Sequence, residues 1–129
     1  MSDKIKLEII TKPDYLHFRF RGMLNLGDED TFVKLMGDAL TGEEELPVLV
    51  DIRELKNDIS VFSNFLLIQN LAQTNLIKIG RIAVLASISE SKLMEYAELS
   101  SRSFGLKNRF FFDEDDALSW LIVGSEKPV

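Results

Sequence analysis

Acid–base or nucleophilic catalysis of the serine type needs a base, usually a histidine, within reach of a hydroxyl and oriented by an acid. The chain has one histidine, His17, between Leu16 and Phe18 in an alternating stretch. Alternation puts it opposite the aromatic residues, so it is expected to be an exposed or half-covered strand residue rather than a base. One imidazole cannot build a histidine metal cluster. The chain has no cysteine, which excludes thiolate zinc sites, iron–sulfur clusters, disulfides and a cysteine nucleophile. The glycines are dispersed (22, 27, 37, 42, 80, 105 and 124) and none forms a G-x-G-x-x-G or Walker loop. The expectation is therefore a chain with no catalytic set, no metal site and no cofactor.

Two acidic features remain. The run Asp113-Glu114-Asp115-Asp116 lacks the ligand spacing and glycine bend of a calcium loop, and it stands where a helix begins. Capping and dipole compensation explain it. Asp51 follows the apolar run Val48-Leu49-Val50. Acids at the carboxyl ends of parallel strands often line a crevice, which makes Asp51 a candidate crevice acid. The competing role is structural, bonding to loop N–H groups. Phe62, Phe65, Phe104, Phe110, Phe111, Phe112 and Trp120 could line an apolar pocket, but all are also placed for the core, which is the expectation. Lys92, Arg102, Lys107 and Arg109 lie near one another in sequence and read as scattered solvated charges. The net charge of −6 repels phosphate backbones, so no nucleic-acid partner is expected.

The elements that must position these residues follow from periodicity. Ile5, Leu7 and Ile9 alternate with polar residues, Pro13-Asp14 marks a turn, and Leu16, Phe18 and Phe20 alternate again. This predicts an antiparallel hairpin. Asp28, Glu29 and Asp30 open a helix carrying Phe32, Leu35, Met36, Ala39 and Leu40, with Gly42 at its C′ position. Val48 to Ile52 is a continuous apolar strand interrupted only by Asp51, and a wide-striped helix follows with Val61, Phe62, Phe65, Leu66, Ile68 and Leu71. Ile79 to Ala86 predicts another buried strand. Ser87 and Glu90 have capping-box spacing ahead of a helix ending at Gly105. Arg109 to Phe112 is a last short strand, and Asp113 caps a final helix that stops at Gly124. The predicted order β-β-α-β-α-β-α-β-α is an α/β fold. Its mixed sheet has the hairpin at one side and mostly parallel strands joined by helices.

A length of 129 residues suits one domain spanning 1–129. The N-terminus carries no continuous apolar stretch of signal-peptide type, and no run is long enough to span a membrane. A cytoplasmic location is expected.

Two stretches carry a family resemblance. Arg109-Phe110-Phe111-Phe112 running into Asp116-Ala117-Leu118-Ser119-Trp120-Leu121 is similar to the ending of the SpoIIAA-like branch of the STAS superfamily, and Arg81-Ile82-Ala83-Val84-Leu85 resembles its third-strand pattern. The order of elements matches over nearly the whole chain. The resemblance implies a SpoIIAA-like (STAS-like) mixed sheet packed against helices and a binding role rather than catalysis. In the anti-sigma-factor antagonists of this superfamily, a serine at the start of the second helix is phosphorylated to break a partner contact, within a motif Asp-Ser-Ser/Thr-Gly-Leu. The matching stretch here is Asp58-Ile59-Ser60-Val61-Phe62, which keeps Asp58 and Ser60 and has Val61 where the motif has glycine. The resemblance thus makes Ser60, with Asp58 and Phe62, the implied phosphorylation and partner site. On its own chemistry Ser60 is an N-cap contributing about 1 kcal/mol. The implied partner is a protein, self-association into a homodimer included. The alternative is a lipid or other small apolar ligand held between sheet and helices, by analogy with lipid-carrier folds.

Overall fold

The computed structural model describes residues 4–25, 27–40, 46–57 and 61–123. Its strands are β1 (Lys6–Thr11), β2 (Leu16–Leu24), β3 (Val48–Asn57), β4 (Ile82–Leu85) and β5 (Asn108–Phe111). Its helices are α1 (Glu29–Ala39), α2 (Val61–Leu71), α3 (Ser91–Ser103) and α4 (Glu114–Leu118), the last running into a π turn over Ser119–Val123. This is the expected element order, and none of the described helices is long and apolar enough to cross a membrane.

The five strands lie in chain order, β1-β2-β3-β4-β5. Only β1 and β2 are antiparallel, joined by a turn that Lys12 closes by donating its N–H to the Tyr15 carbonyl at 3.0 Å. The pairs β2–β3, β3–β4 and β4–β5 are parallel. Crossovers between parallel strands share one hand. Because these strands are added in one direction, α1, α2 and α3 all fall on one face.

That face holds the larger core. Phe18, Phe20, Val48, Val50, Ile82 and Val84 of the sheet meet Phe32 and Met36 of α1, Leu67, Ile68 and Leu71 of α2, and Ala97 of α3. Phe20 and Phe32 stack with ring centroids 4.5 Å apart. The opposite face has a smaller core, in which Leu49, Ala83 and Leu85 meet Ala117 and Leu121. Period-two alternation feeds both: neighbours Val48 and Leu49, or Val84 and Leu85, go to different cores.

Several elements depart from the periodicity reading. Strand β3 does not stop at Ile52 but runs to Asn57, because a bulge sets Ile52 and Arg53 against Phe20 alone. One extra residue shifts the alternation by one, so Leu55 rejoins the core although it is odd-numbered while Val48, Val50 and Ile52 are even. Strand β4 is shorter than Ile79–Ala86: Asn75–Lys78 form a 3₁₀ turn closed by the Ile79 N–H on the Leu76 carbonyl at 3.1 Å, and pairing starts at Ile82. The capping box at Ser87 and Glu90 does not form; Ser87 precedes a 3₁₀ turn over Ile88–Glu90, its side chain makes no cap bond, and α3 begins only at Ser91. Asp113 does cap α4, its carboxylate accepting from the Asp116 N–H at 3.2 Å. The expected helix stops at Gly42 and Gly124 lie outside the described residues.

Candidate functional site

The ionisable groups that converge do so on the thinly covered face of the sheet. His17 is buried at 5% exposure, not exposed or half-covered, because its face is covered rather than bare. It pairs in register with Leu49, a member of the smaller core, and its ring lies 6.4 Å from that of Tyr15. Its Nε2 stands 3.7 Å from Asp51 Oδ2, too long for a hydrogen bond, and finds no other partner among the described residues.

Asp51 is 3% exposed. It is not at the end of β3, but it is the last β3 residue paired with β4 (with Leu85), so it does sit where the four-strand overlap ends. The strand order never reverses, so the sheet lacks the switch point at which such acids usually face a crevice. Both Asp51 oxygens are engaged by Arg53: the backbone N–H and Nε donate to Oδ1 at 3.1 Å each, and Nη2 donates to Oδ2 at 2.9 Å. Nη2 also donates to Glu114 Oε1 of α4 at 3.1 Å. Burial pushes the Asp51 carboxyl up. The hydrogen bonds and charge of Arg53, with a smaller contribution from His17, outweigh that and hold its pKa below the ordinary aspartate value. Arg53 is correspondingly held more firmly protonated, first by its hydrogen bond to Asp51. This cluster clamps α4 to β3. Its partners Arg53 and Glu114 escape a sequence reading, because Arg53 sits in the bulge, where alternation no longer fixes the face, and Glu114 is 61 positions away.

Past Asp51 and the bulge, Glu54 to Asn57 pair with β2 alone, beyond the last β4 partner. Asp58 and Ser60 follow that extension and lie outside the described residues; Phe62 falls in the first turn of α2, and its side chain is likewise outside them. Of the remaining aromatic residues assigned to the core, Phe65 and Phe112 are 40% and 39% exposed instead. The sheet needs only one stripe of α2, and Phe65 stands off it, tilted against Phe104 at 5.3 Å.

Between the sheet and α2–α3 lies an interior cavity of about 100 Å³, lined by side chains such as Val50, Leu67, Ile82, Met94 and Phe110. Three polar residues interrupt that lining: Asn64, Ser101 and Asn108. Ser101 Oγ is satisfied by donating to the Ala97 carbonyl at 2.7 Å. Asn64 Nδ2 and Asn108 Oδ1, on residues each 7% exposed, have no hydrogen-bond partner among the described residues. Asn64 heads the stripe Asn64, Leu67, Ile68, Leu71 at i, i+3, i+4, i+7, so the sequence carried its burial, though not its lack of a partner.

A second hollow, of about 380 Å³ and open to solvent, lies at the start of β5 and is lined by Arg102, Leu106, Lys107, Asn108, Arg109 and Trp120, with Gly105. Three of the four cations that look scattered in sequence thus come together. The turn that assembles them is a Schellman motif: Gly105, at φ 88°, donates to the Arg102 carbonyl at 3.1 Å, and Leu106 to the Ser101 carbonyl at 3.0 Å. A positive φ at that position favours glycine, and the motif turns Leu106 inward while leaving Lys107 exposed.

A family model for SpoIIAA-like proteins matches residues 15–122. The chain belongs to the SpoIIAA-like family. Two solved structures share the SpoIIAA-like fold at low identity. An uncharacterised DUF3478-family protein from Shewanella loihica PV-4 is 24% identical, with 92% of this chain and 94% of that one covered and a TM-score of 0.59. An anti-sigma factor antagonist from Mycobacterium paratuberculosis is 14% identical, with 92% and 95% covered and a TM-score of 0.63. A comparison with curated proteins gives no match.

Proposed function

We propose that this SpoIIAA-like chain is a non-catalytic regulatory module that works inside the cell by binding a protein, with the start of α2 as the docking region. The observation that carries the reading is the outer side of α2. Asn64, Leu67, Ile68 and Leu71 are buried, yet Phe65 and Leu66 are 40% and 41% exposed, within two turns of Val61. Large apolar residues held at the surface of a helix suit recognition of another chain. The ionisable groups support binding over catalysis, since Asp51, Arg53 and Glu114 satisfy one another. Phosphate at Ser60 would add about −1.5 to −2 charges beside that apolar surface and act as a release signal.

Affinity purification from the source cells, quantified by mass spectrometry, tests this with Leu66→Glu, Ser60→Asp and, on the opposite sheet face, Glu8→Gln. A protein retained by wild type and Glu8→Gln but lost from the other two is the expected result. Identical partners for all variants would remove α2 as the docking region. Loss from Leu66→Glu alone would remove the switch and keep the docking.

A second reading, a carrier of a small apolar ligand, rests on the interior cavity of about 100 Å³. That is smaller than the engineered cavity of about 150 Å³ that takes up benzene or xenon, so this reading requires the walls to yield to a ligand of ring size.

A further inference from the structure

The sheet ends in β1 on one side and β5 on the other. An edge strand offers a row of N–H and C=O groups to another strand, and proteins blunt it with proline, a bulge or a short run. β5 is blunted by length, at four residues. β1 has six residues and no proline, and it pairs with β2 in an unbroken register from Lys6–Arg21 to Thr11–Leu16. Ile5 and Leu7 both reach the larger core, so the alternation extends back to Ile5. Ile9 shares that face but is 49% exposed. Lys6 and Glu8 lie on the other face. Lys6 stands across from Arg21, a like charge, and forms no ion pair among the described residues. Arg19 and Arg21 both reach Glu8 through Oε1, so Oε2 has no partner among the described residues.

We propose that β1 pairs with β1 of a second copy, antiparallel about a two-fold axis between the two Leu7 residues, so that two five-stranded sheets become one. This surface is not α2, so the inference stands apart from the docking reading. Symmetry and charge set the register. In an antiparallel pair the outward N–H and C=O groups belong to every second residue, so a two-fold must set odd residues against odd and even against even. The axis therefore falls on a residue. At Lys6 or Glu8 it brings that residue against its own copy, and at Ile9 it sets Lys6 against Lys12, like charges in every case. At Leu7 it sets Lys6 against Glu8, and the symmetry makes that pair twice. The incoming ammonium takes the Oε2 that Arg19 and Arg21 leave. The same register sets Ile5 against Ile9, which covers the exposed Ile9 side chain with apolar surface. β5 has no comparable register, since Arg109 is its only charge.

Sedimentation equilibrium of the full chain tests this with Lys6→Glu and Glu8→Lys, each alone and the two mixed. Wild type is expected to form a concentration-dependent dimer. Each variant alone sets like charges against each other at both pairs and is expected to dissociate about tenfold more readily. The equimolar mixture restores both opposite-charge pairs and is expected to associate about tenfold more tightly than either variant alone, a rescue that a folding defect cannot give. A wild type that stays monomeric at its highest soluble concentration overturns the proposal. So does a dimer that both variants leave intact, or one that the mixture does not rescue. Cross-linking tests the register. The chain has no cysteine, and directly opposite Cα atoms in antiparallel strands lie about 4.5–5.5 Å apart, within disulfide reach. Leu7→Cys is therefore expected to oxidise to a covalent dimer. Ile9→Cys, about 14 Å from its copy in this register, is expected to stay unlinked. Linkage of Ile9→Cys in preference to Leu7→Cys overturns the register.

Discussion

One face of the sheet is covered by three helices, the other by α4 and its π turn alone, and polar groups fare differently under the two covers. Beneath α1, α2 and α3 the core is deep enough to hold a cavity and to leave Asn64 Nδ2 and Asn108 Oδ1 unpaired. Beneath α4 the core is thin, and Asp51, Arg53 and Glu114 pair there while His17 Nε2 finds no hydrogen-bond partner among the described residues. Arg53 reaches from a half-exposed position to satisfy the buried Asp51. Farther along the same face, Glu8 accepts from Arg19 and Arg21 at 3.4 and 3.3 Å in the open, a ladder of the kind worth little in stability. Water within reach lets long side chains bridge buried acids to solvent; a thick helical layer denies that route.

The largest test of this contrast is a pair of truncations. Phe20→Ala, at a fully buried ring stacked on Phe32, is expected to cost about 3–5 kcal/mol in urea unfolding. Leu121→Ala in the smaller core should cost about 2 kcal/mol, at the low end for leucine because a thin cover collapses more readily. Equal losses would mean that the two cores are equally rigid.

A middle-sized effect concerns the clamp on α4. The folded-state pKa of Asp51 is depressed, so the folded protein binds fewer protons here than the unfolded chain. The resulting stability is present above the ordinary aspartate value near about 4 and is lost as pH falls through the lower folded value. Asp51→Asn should therefore be less stable than wild type at neutral pH, with the gap closing in acid. A gap that stays constant from about pH 7 to 3 would show that Arg53 does not hold the carboxylate ionised. The smallest effect is Asp113→Ala, which removes the α4 cap. A loss of about 1 kcal/mol is expected, with faster amide exchange confined to α4 and the π turn; exchange spreading to α2 would show the faces to be coupled.

Much of this was legible in local pattern. Strand and helix identity, the hairpin, the Asp113 cap and the Gly105 stop follow from alternation, 3.6-residue spacing and turn chemistry, since each depends on residues a few positions apart. The SpoIIAA-like ending around Phe111 and Trp120 was readable for the same reason. The bulge at Ile52–Arg53 was not: it is defined by the partner strand β2, which no window around β3 contains. Burial of His17 was misread because its cover, the smaller core with Tyr15 and Leu49, is assembled from distant segments.

Sequence by itself determined the elements, their order and the absence of cysteine and of a second histidine, because composition and short-range periodicity need no fold to be read. Only the tertiary structure decided which polar groups meet. Arg53 finds Glu114 across 61 positions, and Arg102, Lys107, Arg109 and Trp120 share one hollow, because sheet order and a helix that doubles back bring remote residues within side-chain reach.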